Sequence, residues 1–109
     1  MNRKLTLERK KSFIASIMKV YVYVQSSEPC DLKLDDVPLK LIDPPLKNGK
    51  SMTIEVPTSD VYIYVVFDKH FPQKYHAKYL LSASEEDVTL FTKPRLNPFK
   101  GNPFSIFKS

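Results

Sequence analysis

The sequence predicts an all-β protein, a small antiparallel β-sandwich with about seven strands. Three observations predict it. Val61-Tyr62-Ile63-Tyr64-Val65-Val66-Phe67 is an uninterrupted run of β-branched and aromatic residues without a charge, the composition that suits a pleated, buried surface. Apolar and polar residues alternate with a period of two in several short segments, each closed by Pro, Asn, Asp or Ser. No stretch of about ten residues keeps the apolar spacing of a helix.

Taken in order, Lys4 to Arg9 alternates, with Leu5 and Leu7 on one side, and reads as a half-buried strand. Phe13, Ile14, Ile17 and Met18 have a short helix-like spacing that a turn or a bulged strand explains equally well. Lys19 to Gln25 places Val20, Val22 and Val24 on one face and Tyr21 and Tyr23 on the other. Cys30, Leu32 and Leu34 alternate with Asp31, Lys33 and Asp35, and Val37-Pro38 then leads away. Leu39 to Ile42 is a further apolar piece, which Asp43-Pro44-Pro45 should confine to an edge or loop, since proline cannot donate to a ladder. Asn48-Gly49 is the strongest hairpin signal in the chain, and Met52, Ile54 and Val56 follow it facing inward. Pro57-Thr58-Ser59-Asp60 turns into the 61–67 run, so these two strands are expected to form the antiparallel hairpin on which the fold condenses. The run itself, apolar on both faces, is expected inside its sheet. Tyr75 to Leu81 and Val88 to Thr92 complete the pattern, with the final Ser105-Ile106-Phe107 a candidate edge strand. One domain over 1–93, opening on a basic strand or arm at 1–11, is followed by a Pro- and Phe-rich basic tail at 94–109.

The totals narrow the function. One domain of 109 residues with 42% hydrophobic and 27% charged residues is ordinary globular composition. Only 2 Gly argues against glycine-rich phosphate loops. A single Cys30 forms no internal disulfide and fits a reducing compartment. Ser12 to Met18 is too short and interrupted for a membrane span, so a cytoplasmic location is expected. The net +5 is uneven: residues 1–20 hold six bases and one acid, 90–109 hold four bases and no acid, and the middle is acidic. Basic ends on an acidic body suit either an anionic partner or solvated termini lying against that body.

From Cys30 onward the order of features resembles small immunoglobulin-like sandwich modules of the PEGA type. Leu32-Lys33-Leu34-Asp35-Asp36, Lys47-Asn48-Gly49-Lys50-Ser51, Thr53-Ile54-Glu55-Val56-Pro57 and Val61 to Phe67 carry the likeness, over about half the chain. Where that family usually has glycine, this chain has Asp36 and Ser59-Asp60. The resemblance implies an accessory or interaction module and supplies no catalytic residue.

No chemistry-bearing constellation stands out. A nucleophile needs a base in reach and a group to orient that base, but periodicity puts Cys30 on an inward face, where a thiol is inert. Asp68, His70 and His76 lack the spacing of a structural zinc site, and Asp31, Asp35 and Asp36 lack a calcium-loop pattern. Neither catalysis nor a cofactor is therefore expected. Lys10, Lys11, Lys93, Arg95, Lys100 and Lys108 could meet phosphates, with Phe91, Phe99, Phe104 and Phe107 stacking on bases. The competing reading has those phenylalanines covering the open bottom of the sandwich. Asn97-Pro98-Phe99 and Asn102-Pro103-Phe104 repeat a compact turn that resembles the ligand of EH domains and is also ordinary turn chemistry. The expectation is a non-catalytic protein-interaction or accessory module, by partner binding or self-association. Its candidate face is Tyr21, Tyr23, Tyr62 and Tyr64, residues that could equally pack under other structure. The alternative is a binder of nucleic acid or lipid headgroups through the basic ends, with Lys93, Arg95, Phe99, Lys100 and Phe104 as tail contacts.

Overall fold

The computed structural model describes residues 1–12, 19–27, 29–67, 76–94 and 104–108. They form two stacked sheets from nine strands: β1 (Asn2–Arg9), β2 (Val20–Gln25), β3 (Leu32–Leu34), β4 (Val37–Leu46), β5 (Ser51–Pro57), β6 (Val61–Val66), β7 (His76–Leu81), β8 (Val88–Pro94) and β9 (Phe104–Phe107). One sheet has the order β5-β1-β8-β9 and the other β3-β4-β2-β6-β7. The expected all-β sandwich is therefore present, with more strands than the seven counted in the sequence. Its ladders are antiparallel except one, since β1 runs parallel to β8 from Leu5↔Val88 to Arg9↔Thr92. Among the described residues there is no helix, and so none long and apolar enough to cross a membrane.

Period-two alternation builds the core between the sheets. Leu5 and Leu7 of β1, Val56 of β5 and Leu90 of β8 meet Val20, Val22, Ile63 and Val65 of the facing sheet, all buried. Burying each such side chain is worth roughly 1.5–3 kcal/mol. That gain holds the register, because a one-residue slip of β1 would replace Leu5 and Leu7 in the core by Thr6 and Glu8. As expected, β6 is interior, paired with β2 on one side and β7 on the other. Both of its faces are buried apart from half-buried Tyr62.

Both expected hairpins are corrected. β5 does not pair with β6: it lies at the edge of the four-stranded sheet beside β1, and the chain crosses to the other sheet through Thr58 to Asp60. Asn48-Gly49 does form a tight turn, with Gly49 at φ 74 and Lys50 N donating to Lys47 O at 3.0 Å. That turn also crosses between sheets, joining β4 to β5. Turn residues set where the chain reverses, while the burial of Met52, Ile54 and Val56 sets which sheet it joins. The tight hairpin lies instead at Asp35-Asp36, at φ 51 and 63, between β3 and β4. Aspartate tolerates this left-handed region better than most residues. β4 also runs straight through Asp43-Pro44-Pro45. The register shift between Val20↔Leu46 and Val22↔Ile42 makes a bulge there, which spares the prolines any ladder bond.

Two bases of the N-terminal segment are structural. Arg3 and Arg9 share the inward face of β1 with Leu5 and Leu7 and are 4% and 2% exposed. Arg3 Nε donates to Pro57 O at 3.2 Å, and its Nη2 donates to Ser59 O at 3.4 Å and Ser82 O at 2.7 Å. One guanidinium thus ties two loops to the end of the core. Arg9 Nη1 donates to Leu46 O at 2.8 Å, and burial lowers the Arg9 pKa from its ordinary value. The segment read as a basic arm is the second strand of its sheet, paired on both sides.

Candidate interaction surfaces

The four tyrosines do share one face, the side of the five-stranded sheet that points away from the main core, but that face is not open. Tyr23, Tyr64, Val66, Leu34 and Leu39 form a second buried cluster, with Tyr21, Tyr62, Leu32, Val37 and Leu41 packed against it. Tyr23 is 6% exposed and Tyr64 is 0% exposed, while Tyr21 and Tyr62 are half-buried. The reason is the curl of the β3–β4 hairpin, whose tip carries Asp35 across to the far strands. Tyr64 Oη donates to Asp35 Oδ2 at 3.2 Å, and the same oxygen lies 3.5 Å from Lys78 Nζ and 3.9 Å from His76 Nε2. Burial, then the charge and hydrogen bond of Asp35, push the Tyr64 pKa up to about 12. Tyr23 is raised too, by burial first and then by Asp31, Tyr21 and Asp43. These are core tyrosines, and a partner on this face would meet only Tyr21 and Tyr62.

The other chemical candidates resolve into structural roles or fall outside the described residues. Cys30 is half-buried and precedes β3, so it is not the inward-facing strand residue expected; Leu32 and Leu34 of that strand face the second cluster. Asp31 Oδ2 accepts from Leu41 N at 2.8 Å, which fixes the start of the β3–β4 hairpin. Asp68 and His70 lie outside the described residues, as do Arg95, Phe99, Lys100 and both Asn-Pro dipeptides of the tail.

The outer face of the four-stranded sheet holds what the tyrosine face does not. Phe91 of β8 and Phe107 of β9 are direct cross-strand partners, with ring centroids 5.8 Å apart and planes 26° from parallel. Their neighbours Leu90 and Ile106 point into the core, so both rings stand on the outside. They do not close the bottom of the sandwich. Lys10 Nζ sits 4.3 Å from the centroid of Phe91 and Lys93 Nζ 5.5 Å from that of Phe107. A cation over an aromatic ring at an exposed site is worth about 0.5–1 kcal/mol, enough to hold each ammonium beside its ring. Of the expected tail contacts, Lys93 is here, and Phe104 opens β9 opposite Pro94. Residue type alone groups Lys10, Lys93, Phe91 and Phe107; only the parallel β1–β8 pairing brings Lys10 to Phe91. The remainder of the face is polar and of mixed charge: Lys4 opposite Glu55, Thr6 opposite Thr53, and Glu8 opposite Phe91.

No protein-family model and no curated protein sequence matches this chain.

Proposed function

We propose that the chain is a non-catalytic interaction module that offers the outer face of its four-stranded sheet to a protein partner. The observation that carries this reading is the Phe91–Phe107 pair, two adjacent half-buried rings on an otherwise polar face. Aromatic anchors of this kind supply contact area at the centre of protein interfaces, with a polar rim around them. The mixed charge of this face, with Glu8 beside Phe91, Lys10 and Lys93 over the rings and Lys4 opposite Glu55 farther along the sheet, suits a protein surface better than a uniform polyanion. The accessory role implied by the PEGA-type resemblance agrees with it. The test is affinity capture by the wild-type chain and by Phe107→Ser, after circular dichroism has shown that the variant keeps its fold. Loss of the captured partner is expected. Equal capture would remove the ring pair from the interface. Truncating the tail is a poorer experiment, since it removes β9 and uncovers the core beside Ile106.

A second reading is favoured by the two lysines held over the rings: binding to phosphates of nucleic acid or lipid headgroups. It predicts that binding to single-stranded DNA or to phosphatidylserine vesicles weakens steeply with salt. The double variant Lys10→Gln, Lys93→Gln would then lower the log–log salt slope on single-stranded DNA by about 1.4, near 0.7 for each phosphate no longer neutralised. A slope unchanged by the double variant would reject this reading.

A further inference from the structure

β5 is the outer strand of its sheet, and among the described residues no strand pairs with its free side. Main-chain bonds Arg9 N to Lys50 O at 2.9 Å and Thr58 N to Met1 O at 3.2 Å bracket the β1–β5 ladder. In an antiparallel ladder of this register, alternate residues bond inward, so Met52, Ile54 and Val56 face β1 through their main chain. Ser51, Thr53 and Glu55 direct N–H and C=O away from the sheet, with no partner among the described residues. These three side chains are exposed, while Met52 and Ile54, which pack against the core from this edge, are only half-buried. Such an edge is a template for another strand.

From these observations we infer that β5 pairs antiparallel with β5 of a second copy of this chain, about a two-fold axis through Thr53. The strand is self-complementary in that register. Thr53 meets Thr53 of the second copy, and Ser51 meets Glu55 of the second copy, so no like charges face each other. About six main-chain hydrogen bonds form. On the core side Met52 meets Ile54 of the second copy, completing the burial that one chain leaves half done. Thr89, Thr6 and Thr53 already form a row across three strands, with Thr6 Oγ1 and Thr53 Oγ1 3.0 Å apart. The axis continues that row into the second copy, and threonine pairs are favourable cross-strand neighbours. Shifting the register by two residues either places Pro57, which has no N–H, opposite Ser51 or leaves Glu55 opposite the turn at Gly49. An isologous pair of this kind closes on itself and does not propagate.

One strand pair buries less than the roughly 1,200 Å² of a standard interface, so the dimer is weak and forms at high micromolar concentration. It also responds to salt in the opposite sense to anion binding, since each copy carries +5 and screening relieves their repulsion. At about 4.8 Å between strands, the dimer sets its two Phe91–Phe107 pairs roughly 25–35 Å apart on one continuous face.

The test is sedimentation velocity on the full chain over a concentration series at low and high salt, with disulfide trapping in a Cys30→Ser background. The mass is expected to rise toward two chains with concentration, more so at high salt. Thr53→Pro, which removes an outward N–H that the single chain does not use, raises the dissociation constant about tenfold or more. Thr53→Cys cross-links, because directly opposite Cα atoms lie about 5.5 Å apart, within disulfide reach. Glu55→Cys does not, its two copies lying four residues apart along the strand. A chain that stays monomeric throughout overturns the inference and leaves the edge to an extended segment of another protein. Equal cross-linking at 53 and 55 overturns it as well. So does a folded Thr53→Pro that dimerises like wild type; should that variant not fold, the cysteine pair decides alone. Phe107→Ser should leave dimerisation unchanged, so failure at the rings and failure at the edge are read separately.

Discussion

Replacing Tyr64 by phenylalanine removes one hydroxyl from a fully buried ring and leaves the packing of its cluster intact. Near neutral pH the loss is the hydrogen bond to Asp35. A bond to a charged acceptor is worth about 1.5–3 kcal/mol. The Asp35 side chain is 53% exposed and regains water, so about 1 kcal/mol is expected here. The alkaline limb reverses the order. Tyr64 has a folded pKa of about 12 against 10.0 for the ordinary group, so its contribution is whole below pH 10 and is lost between pH 10 and 12. At pH 11 ionisation of the unfolded chain alone removes about 1.4 kcal/mol from the wild type and nothing from the variant. Tyr64→Phe should therefore be the less stable protein at pH 8 and the more stable one at pH 11, with the curves crossing between about pH 10.5 and 11. Urea titrations followed by circular dichroism at pH 8, 9, 10 and 11 measure the difference directly, and the other tyrosines and lysines cancel in the subtraction. A difference that stays constant from pH 9 to 11 would refute both the burial of the hydroxyl and the latch built on it.

Arg3→Met should cost about 2–4 kcal/mol, since three charge-assisted bonds to the carbonyls of Pro57, Ser59 and Ser82 disappear together; a shift in the urea midpoint worth under about 1 kcal/mol would show that the two loops hold themselves. Asp35 and Asp36 both have left-handed backbones, yet glycine should act differently at each. Asp36→Gly relieves the strain and should raise stability by up to about 1 kcal/mol, while Asp35→Gly forfeits Tyr64, Lys78 and His76 and should lower it. Thermal melts that rank the two variants together would contradict the latch.

The period-two pattern by itself determined much of this protein. It places Val20, Val22, Val24, Ile63 and Val65 in the main core and turns Tyr21, Tyr23, Tyr62 and Tyr64 to the opposite face. It also makes β6 interior, because a strand apolar on both sides has nowhere else to go. The pattern stops at the strand itself. The turn chemistry of Asn48-Gly49 and Pro57 to Asp60 marks where the chain reverses, yet both reversals cross between sheets. Which ladder each strand joins depended on burying both faces of the sandwich at once. The same holds for the surfaces. Tyr23 and Tyr64 are hidden by a hairpin whose curl no local signal records, and Lys10 reaches Phe91 through a parallel pairing of strands from opposite ends of the chain. Side-chain alternation is local and can be read residue by residue, whereas strand partnership is a contest among distant segments that only the assembled core decides.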